Sequence, residues 1–227
     1  MDMTWRECIG SARGRLTIVF CLAVVLSMVL FMPYYYQEII GPKVGILLND
    51  PVLNFFTPVD WSNAVFFILT VALIQTLTLY YGNAEVFLTG LMSFCVVNIL
   101  RVISMYVITL EPPADMILLI DPISASLVYP EQAFAKDLFF SGHVSSMMIL
   151  VYIERSRVWY LIKIAATVLM ALFLAWQHVH YSVDLVVAPL ATYAVFLGVR
   201  RFIRSIPAPK PISGEKTGII GLNEHLK

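Results

Sequence analysis

Apolar positions in this chain fall in long blocks, with polar residues gathered between them rather than alternating through them. The blocks run at about 16–36, 61–81, 86–110, 138–153, 158–177 and 181–202. A transmembrane helix needs about 20 mostly apolar residues, and a chain inside a bilayer must satisfy its own backbone hydrogen bonds. The pattern therefore predicts an all-α, polytopic membrane protein with six transmembrane helices, in a single domain over residues 1–206. The fourth block is short and carries Ser141, Gly142 and His143 in its first turn. The first block follows Arg6, Arg13 and Arg15. It is long for a signal-peptide core and no small-x-small cleavage site follows it, so it reads as a retained span. Residues 207–227, rich in proline, glycine and polar groups, read as a flexible cytoplasmic tail.

Composition agrees with the pattern. Of 227 residues, 59% are hydrophobic and 13% charged, with a mean hydropathy of +0.82; soluble domains are nearer half apolar and about a quarter charged. The formal net charge is zero, which gives no reason to expect a nucleic-acid partner. Cys8, Cys21 and Cys95 have no metal-like spacing and suggest no disulfide framework.

Charge distribution sets the expected orientation. Arg6, Arg13, Arg15, Arg155, Arg157, Arg200, Arg201 and Arg204 fall on the side of both termini, whereas the opposite loops carry Lys43 and Lys136. By the positive-inside rule both termini face the cytoplasm. The non-cytoplasmic loops are then about 37–60, 111–137 and a tight turn near 178–180. That face collects Arg101, His143, His178 and His180.

The chemistry begins with His180 and Asp184, which share a helical face at a separation of four. A carboxylate bonded to one ring nitrogen fixes the tautomer and turns the other nitrogen outward with raised basicity. An ionisable residue at membrane depth is itself a functional hypothesis; the plainer alternative is a pair that stitches two helices together. His143, expected at the same level, supplies a second imidazole. One histidine can then attack phosphorus while the other protonates the leaving oxygen. Ser141 and Gly142 open a helix whose N-terminal amides suit a phosphate, and Ser141 is also a natural cap. Arg101 offers a planar fork to phosphate or pairs with Asp137 or Glu111. Asp137 tunes His143, positions a substrate hydroxyl, or is a solvated loop charge. Tyr106 and Tyr181 are candidate substrate contacts or interfacial aromatics. His178 is a third imidazole. With His180 it gives two ligands where divalent sites favour three or four, so neither a metal nor another cofactor is expected.

These residues carry a resemblance. The stretches "DLFFSGHV" and "HVHYSVDLVVAPLATY" resemble the sphingomyelin synthase family, a branch of the type 2 phosphatidic acid phosphatase superfamily. "RVISMYVITLEPP" is similar to the stretch that family carries in its third span. The resemblance covers about residues 95–200. It implies six spans, a site on the non-cytoplasmic (lumenal or periplasmic) face and no metal. It also implies a catalytic set of His143, His180 and Asp184, in which His180 is the nucleophile, Asp184 its partner and His143 the acid and base. The implied reaction moves a phospho-head group from a glycerophospholipid donor to ceramide or a diacylglycerol-type acceptor, through a phosphohistidine. In phosphatases of the superfamily, water is the acceptor. Two positions depart from the family pattern: Val144 stands where threonine is usual after Ser-Gly-His, and Val179 where an aspartate is usual between the two histidines. The Lys/Arg-Pro motif of the soluble-substrate phosphatases is not visible, which favours the synthase branch.

Two other classes compete. An intramembrane serine protease of rhomboid type would use Ser141 and His180. Phe139 occupies the first glycine position of that family's G-x-S-G motif, however, and such a protease needs neither His143 nor Asp184. A non-catalytic lipid-binding protein would not need the intact His143, His180 and Asp184.

Overall fold

The computed structural model describes residues 3–119 and 136–206. The expected tail from residue 207 and most of the expected loop at 111–137 lie outside the described residues. The elements in order are α1 (Trp5–Gly10), α2 (Ala12–Tyr34), α3 (Ser62–Tyr80), α4 (Ala84–Val107), α5 (Gly142–Tyr152), α6 (Arg157–Trp176) and α7 (Ser182–Arg204). A π-helical turn, Tyr35–Ile40, continues α2 without a break. Among the described residues there is no strand, and an isolated parallel bridge joins Ile46 to Leu110.

Among the described residues, five helices are long and apolar enough to cross a membrane: Ala12–Ile40, Ser62–Tyr80, Ala84–Val107, Arg157–Trp176 and Ser182–Arg204. Their bounds follow the apolar blocks closely, and the short α1 was not visible in the hydropathy pattern. The fourth block departs from expectation. Its helix, α5, has 11 residues, so it is about 16 Å long, roughly half the thickness of a hydrocarbon core. Residues 138–141 lie outside the helix because Ser141 caps it at Gly142 and Arg101 takes the Phe140 carbonyl.

This short helix is the centre of the molecule. It packs against α3, α4, α6 and α7. Val144, Met147, Met148, Ile149, Leu150 and Val151 are all buried and head the main core cluster. A helix apolar on every side is stable where other helices surround it. The longer helices show the complementary pattern, with large apolar side chains turned outward, among them Leu16 and Leu30 on α2, Phe67 and Ile74 on α3, and Leu190 on α7. Water is a poor solvent for such faces and lipid a good one.

One buried ion pair was not anticipated. Lys163 of α6 reaches Glu154, in the turn after α5, at 2.7 Å, with the two side chains 3% and 0% exposed. Thr76 of α3 accepts from the same ammonium at 2.6 Å. Glu154 is further held by the Tyr80 hydroxyl and by the backbone amides of Arg155 and Ser156 at 2.9 Å each. Burial pushes the Glu154 carboxyl up. The bonds from Lys163, Tyr80 and Ser156 outweigh it and bring it down to about 2.

Candidate functional site

The N-terminus of α5 is built around an arginine. Ser141 is fully buried, and its Oγ accepts from the Val144 amide at 3.4 Å while the Ser145 hydroxyl donates to its carbonyl at 2.7 Å. The Arg101 guanidinium lies directly against Gly142: a Cβ there would stand 2.5 Å from Nη1. Glycine is required by this close approach. Arg101 Nε donates to the Phe140 carbonyl at 2.9 Å, Nη1 to Asn98 Oδ1 at 3.4 Å and Nη2 to Asp137 Oδ1 at 2.5 Å. Of the two carboxylates the sequence offered Arg101, the structure uses Asp137; Glu111 instead pairs with Lys136 at 2.9 Å.

Asp137 has a second partner that the sequence did not reveal. The Tyr36 hydroxyl donates to the same Oδ1 at 2.7 Å. Tyr36 lies in the π-helical turn and is almost fully buried. Burial alone would raise the Asp137 carboxyl. The Arg101 charge, the Tyr36 hydroxyl and the nearby His180 and His143 outweigh burial and hold it below the usual carboxylate range.

His180 and Asp184 form the second half. They are 2% and 0% exposed. His180 Nδ1 lies 3.4 Å from Asp184 Oδ2, out of line for a hydrogen bond, and Oδ2 accepts from the Tyr181 amide at 3.2 Å. His180 Nδ1 and Asp184 Oδ1 are left buried without partners among the described residues. Buried polar atoms are normally satisfied, and catalytic hydrogen bonds are often long without substrate and tighten when it binds. The two halves meet where the Ser141 amide donates to the Asp184 carbonyl at 3.4 Å. His143, in the first turn of α5, sets its ring edge-on to Phe66 at 5.4 Å. Arg101, Asp137, Ser141, Gly142, His143, His180 and Asp184 thus gather at one end of the bundle.

The remaining candidates stand elsewhere. His178 follows the end of α6 at φ 57°, the left-handed region that side chains other than glycine rarely adopt. Its amide donates to Ala175 and that of Val179 to Leu174, each at 3.0 Å, which is the paired closure of a Schellman motif. The ring joins two loops: Nδ1 lies 2.8 Å from Asp115 Oδ1 and Nε2 lies 3.1 Å from the Leu53 carbonyl. The bond to His178 holds the Asp115 carboxyl below its ordinary value. Tyr181 is not an interfacial aromatic. It is 1% exposed and donates to the Glu111 carbonyl at 2.9 Å. Tyr106 is 55% exposed, with the Lys43 ammonium 4.1 Å above its ring, so it sits at the surface. Among the described residues no group of three or more His, Cys, Asp or Glu side chains is placed to hold a metal ion.

Asp50 is a further residue the sequence did not single out. Its Oδ2 accepts from the Ser182 amide at 2.6 Å, so a loop carboxylate caps the helix that carries Asp184. Together with Asp115, His178 and Tyr181 it lines a cleft of about 340 Å³. The two residues are 132 apart in the chain, and no local signal marks such a cap.

No protein-family model matches the chain, and no curated protein matches it either.

Proposed function

We propose that this protein is a multi-pass lipid phosphotransferase of the sphingomyelin synthase type, with α5 completing a six-helix bundle, both termini cytoplasmic and the site on the opposite face. The observation that carries this reading is the gathering of two imidazoles, a buried carboxylate and an arginine-lined helix N-terminus at one end of an apolar bundle. Each part has a role in moving a phosphoryl group. The Arg101 guanidinium and the first turn of α5 hold the phosphate oxygens of a glycerophospholipid. His180 attacks phosphorus through Nε2, and the bond from phosphorus to the diacylglycerol oxygen breaks. His143 gives its proton to that departing oxygen. Asp184 faces the other ring nitrogen of His180 and stabilises the positive charge that develops there. In the return step His143 takes the proton from a ceramide hydroxyl, the new oxygen attacks phosphorus and the bond to His180 breaks. An apolar bundle suits such substrates, because both lipids can reach the site from the membrane.

The test is a head-group transfer assay with purified protein in mixed lipid containing fluorescent ceramide, phosphatidylcholine and phosphatidylethanolamine. His180→Ala is the control, and mass spectrometry identifies the products. A phospho-ceramide that disappears in the variant supports the synthase reading and names the head group. Released phosphate or phospho-head group with unchanged ceramide makes water the acceptor and the protein a hydrolase. Turnover that survives His180→Ala overturns both.

A further inference from the structure

The loop between α2 and α3 delivers a carboxylate to the first turn of α7. Ile46 ties this loop to the chain just after α4. Its amide donates to the Thr109 carbonyl at 2.9 Å and its carbonyl accepts from the Glu111 amide at 3.0 Å. Leu53 is buried, and its carbonyl lies 3.1 Å from His178 Nε2. Asp50 stands between these anchors. Its Oδ1 accepts from the Val52 amide at 2.9 Å and its Oδ2 from the Ser182 amide at 2.6 Å, so the side chain is held from both sides. Burial pushes the Asp50 carboxyl up. Bonds from Ser182, Val52 and Leu53 outweigh it and hold the carboxyl below its ordinary value.

The first amides of a helix have no partner within the helix. Tyr181, the cap residue of α7, sends its hydroxyl to the Glu111 carbonyl instead, so the Ser182 amide depends on Asp50. The acidic residue of that first turn is Asp184. Its Oδ2 takes the Tyr181 amide at 3.2 Å and stands 3.4 Å from His180 Nδ1. Charge and dipole draw a first-turn carboxylate toward unpaired amides. Without Asp50, the Ser182 amide would compete with His180 for Asp184.

We infer that Asp50 is a positioning residue for His180: by capping Ser182 from a distant part of the chain, it leaves Asp184 facing the imidazole. The kinetic side of this inference rests on the phosphotransfer proposed above. Asp50 touches neither the nucleophile nor the phosphate in that scheme and acts through Asp184. Its removal therefore slows the chemical step and spares substrate binding, which belongs to Arg101 and the first turn of α5. The effect also vanishes once the Asp184 carboxylate is gone, because residues that act as a unit are not additive. A residue that merely held the loop in place would cost the same in both backgrounds.

The experiment applies the head-group transfer assay to the full chain and records nitrogen NMR spectra of labelled histidine on the same preparations. Asp50→Ala lowers kcat about a hundredfold, the cost of a misplacement of about 1 Å, and leaves KM unchanged. Asp50→Asn, whose side-chain oxygen can still cap Ser182, stays within about fivefold of the parent. In an Asp184→Asn background, Asp50→Ala costs less than about twofold more. The chain has four histidines, and His180→Ala identifies the His180 signals. A carboxylate beside Nδ1 keeps the proton there, so Asp50→Ala and Asp184→Asn both move the proton toward Nε2. An undiminished kcat in Asp50→Ala overturns the proposal. The full loss repeated in the Asp184→Asn background makes Asp50 a structural residue and also overturns it. Equal losses in Asp50→Ala and Asp50→Asn assign the effect to charge rather than to the cap, with the same consequence. If the parent shows no His180-dependent transfer, the phosphotransfer reading falls and the spectra decide the role of Asp50 alone. Unmoved His180 nitrogens in Asp50→Ala then overturn that role, and moved ones sustain it.

Discussion

The Ser141 amide donates to the Asp184 carbonyl at 3.4 Å, so the first turn of α5 and the first turn of α7 are tied backbone to backbone. The first of these turns carries His143; His180 stands just before the Tyr181 N-cap of the second, so it does not share a helical face with Asp184 as their spacing predicted. Because the tie runs through main chain, the spacing of the two histidines does not depend on either imidazole. Substitutions in the side chains can therefore test chemistry without dismantling the frame.

Asp184→Asn is the first such test. It keeps the volume and can still accept from the Tyr181 amide, but it carries no charge to stabilise an imidazolium. Transfer falls by about 10⁴-fold, the scale found when an orienting aspartate is replaced beside a catalytic histidine, while thermal unfolding in detergent stays close to that of the parent. Near-normal turnover would sink the pairing of His180 with Asp184.

Gly142→Ala probes the arginine instead. The added methyl meets Arg101 Nη1 at 2.5 Å, so the guanidinium must move by a substantial fraction of an ångström or more. A misplacement of that size at a phosphate-holding group costs about a hundredfold in rate. The loss is read from transfer kinetics, with protein yield and unfolding temperature as controls. Full activity would show that the guanidinium does not hold substrate.

Acid sensitivity follows from Asp137, whose carboxyl is held below its usual range in the folded protein. A depressed carboxyl contributes stability above its unfolded value, about 3.9, and that stability is lost as pH falls through the lower folded value. The parent protein therefore loses stability on the acid side of pH 4. Asp137→Asn is less stable at neutral pH, by about 3 kcal/mol for a buried arginine left unpaired, and its acid limb is flatter. Parallel pH–stability curves for the two proteins would remove Asp137 from this role. The transfer rate, by contrast, follows a bell, because one histidine must be neutral while the other is protonated. A rate that changes in one direction only from pH 5 to 9 would exclude the paired-histidine scheme.

The buried pair at the other end gives a stability test. Lys163→Met strands Glu154, which is 0% exposed, and costs about 3–5 kcal/mol. Lys163→Met with Glu154→Gln costs much less, since no uncompensated charge remains. Unfolding temperatures of the two variants decide it, and equal losses would mean that the pair carries little of the effect.

The long helices were legible because lipid-facing helices announce themselves by uninterrupted apolar runs, and each long span lies within a few residues of its block. His143, His180, Asp184, Arg101 and Asp137 were legible as polar residues stranded at the ends of such runs. The partners of Arg101 were not, because the choice between Asp137 and Glu111 depends on how a loop closes. Tyr36 looked like one of several tyrosines at a helix end; a π-helical turn, which hydropathy does not register, aims it at Asp137. Tyr181 was left as a substrate contact or an interfacial aromatic, and its burial against Glu111 rules out the second. Lys163 was readable in principle as a charge inside an apolar run, but its counter-ion lies in the turn before α6, where Glu154 passes for a solvated loop charge.

The brevity of α5 has an electrical consequence. Polar groups enter the bundle from both ends, Arg101 and Asp137 above it and Glu154 with Lys163 below it, and about three turns of apolar side chain separate them. The insulating layer at the middle of this bundle is then about half as thick as at α3 or α7.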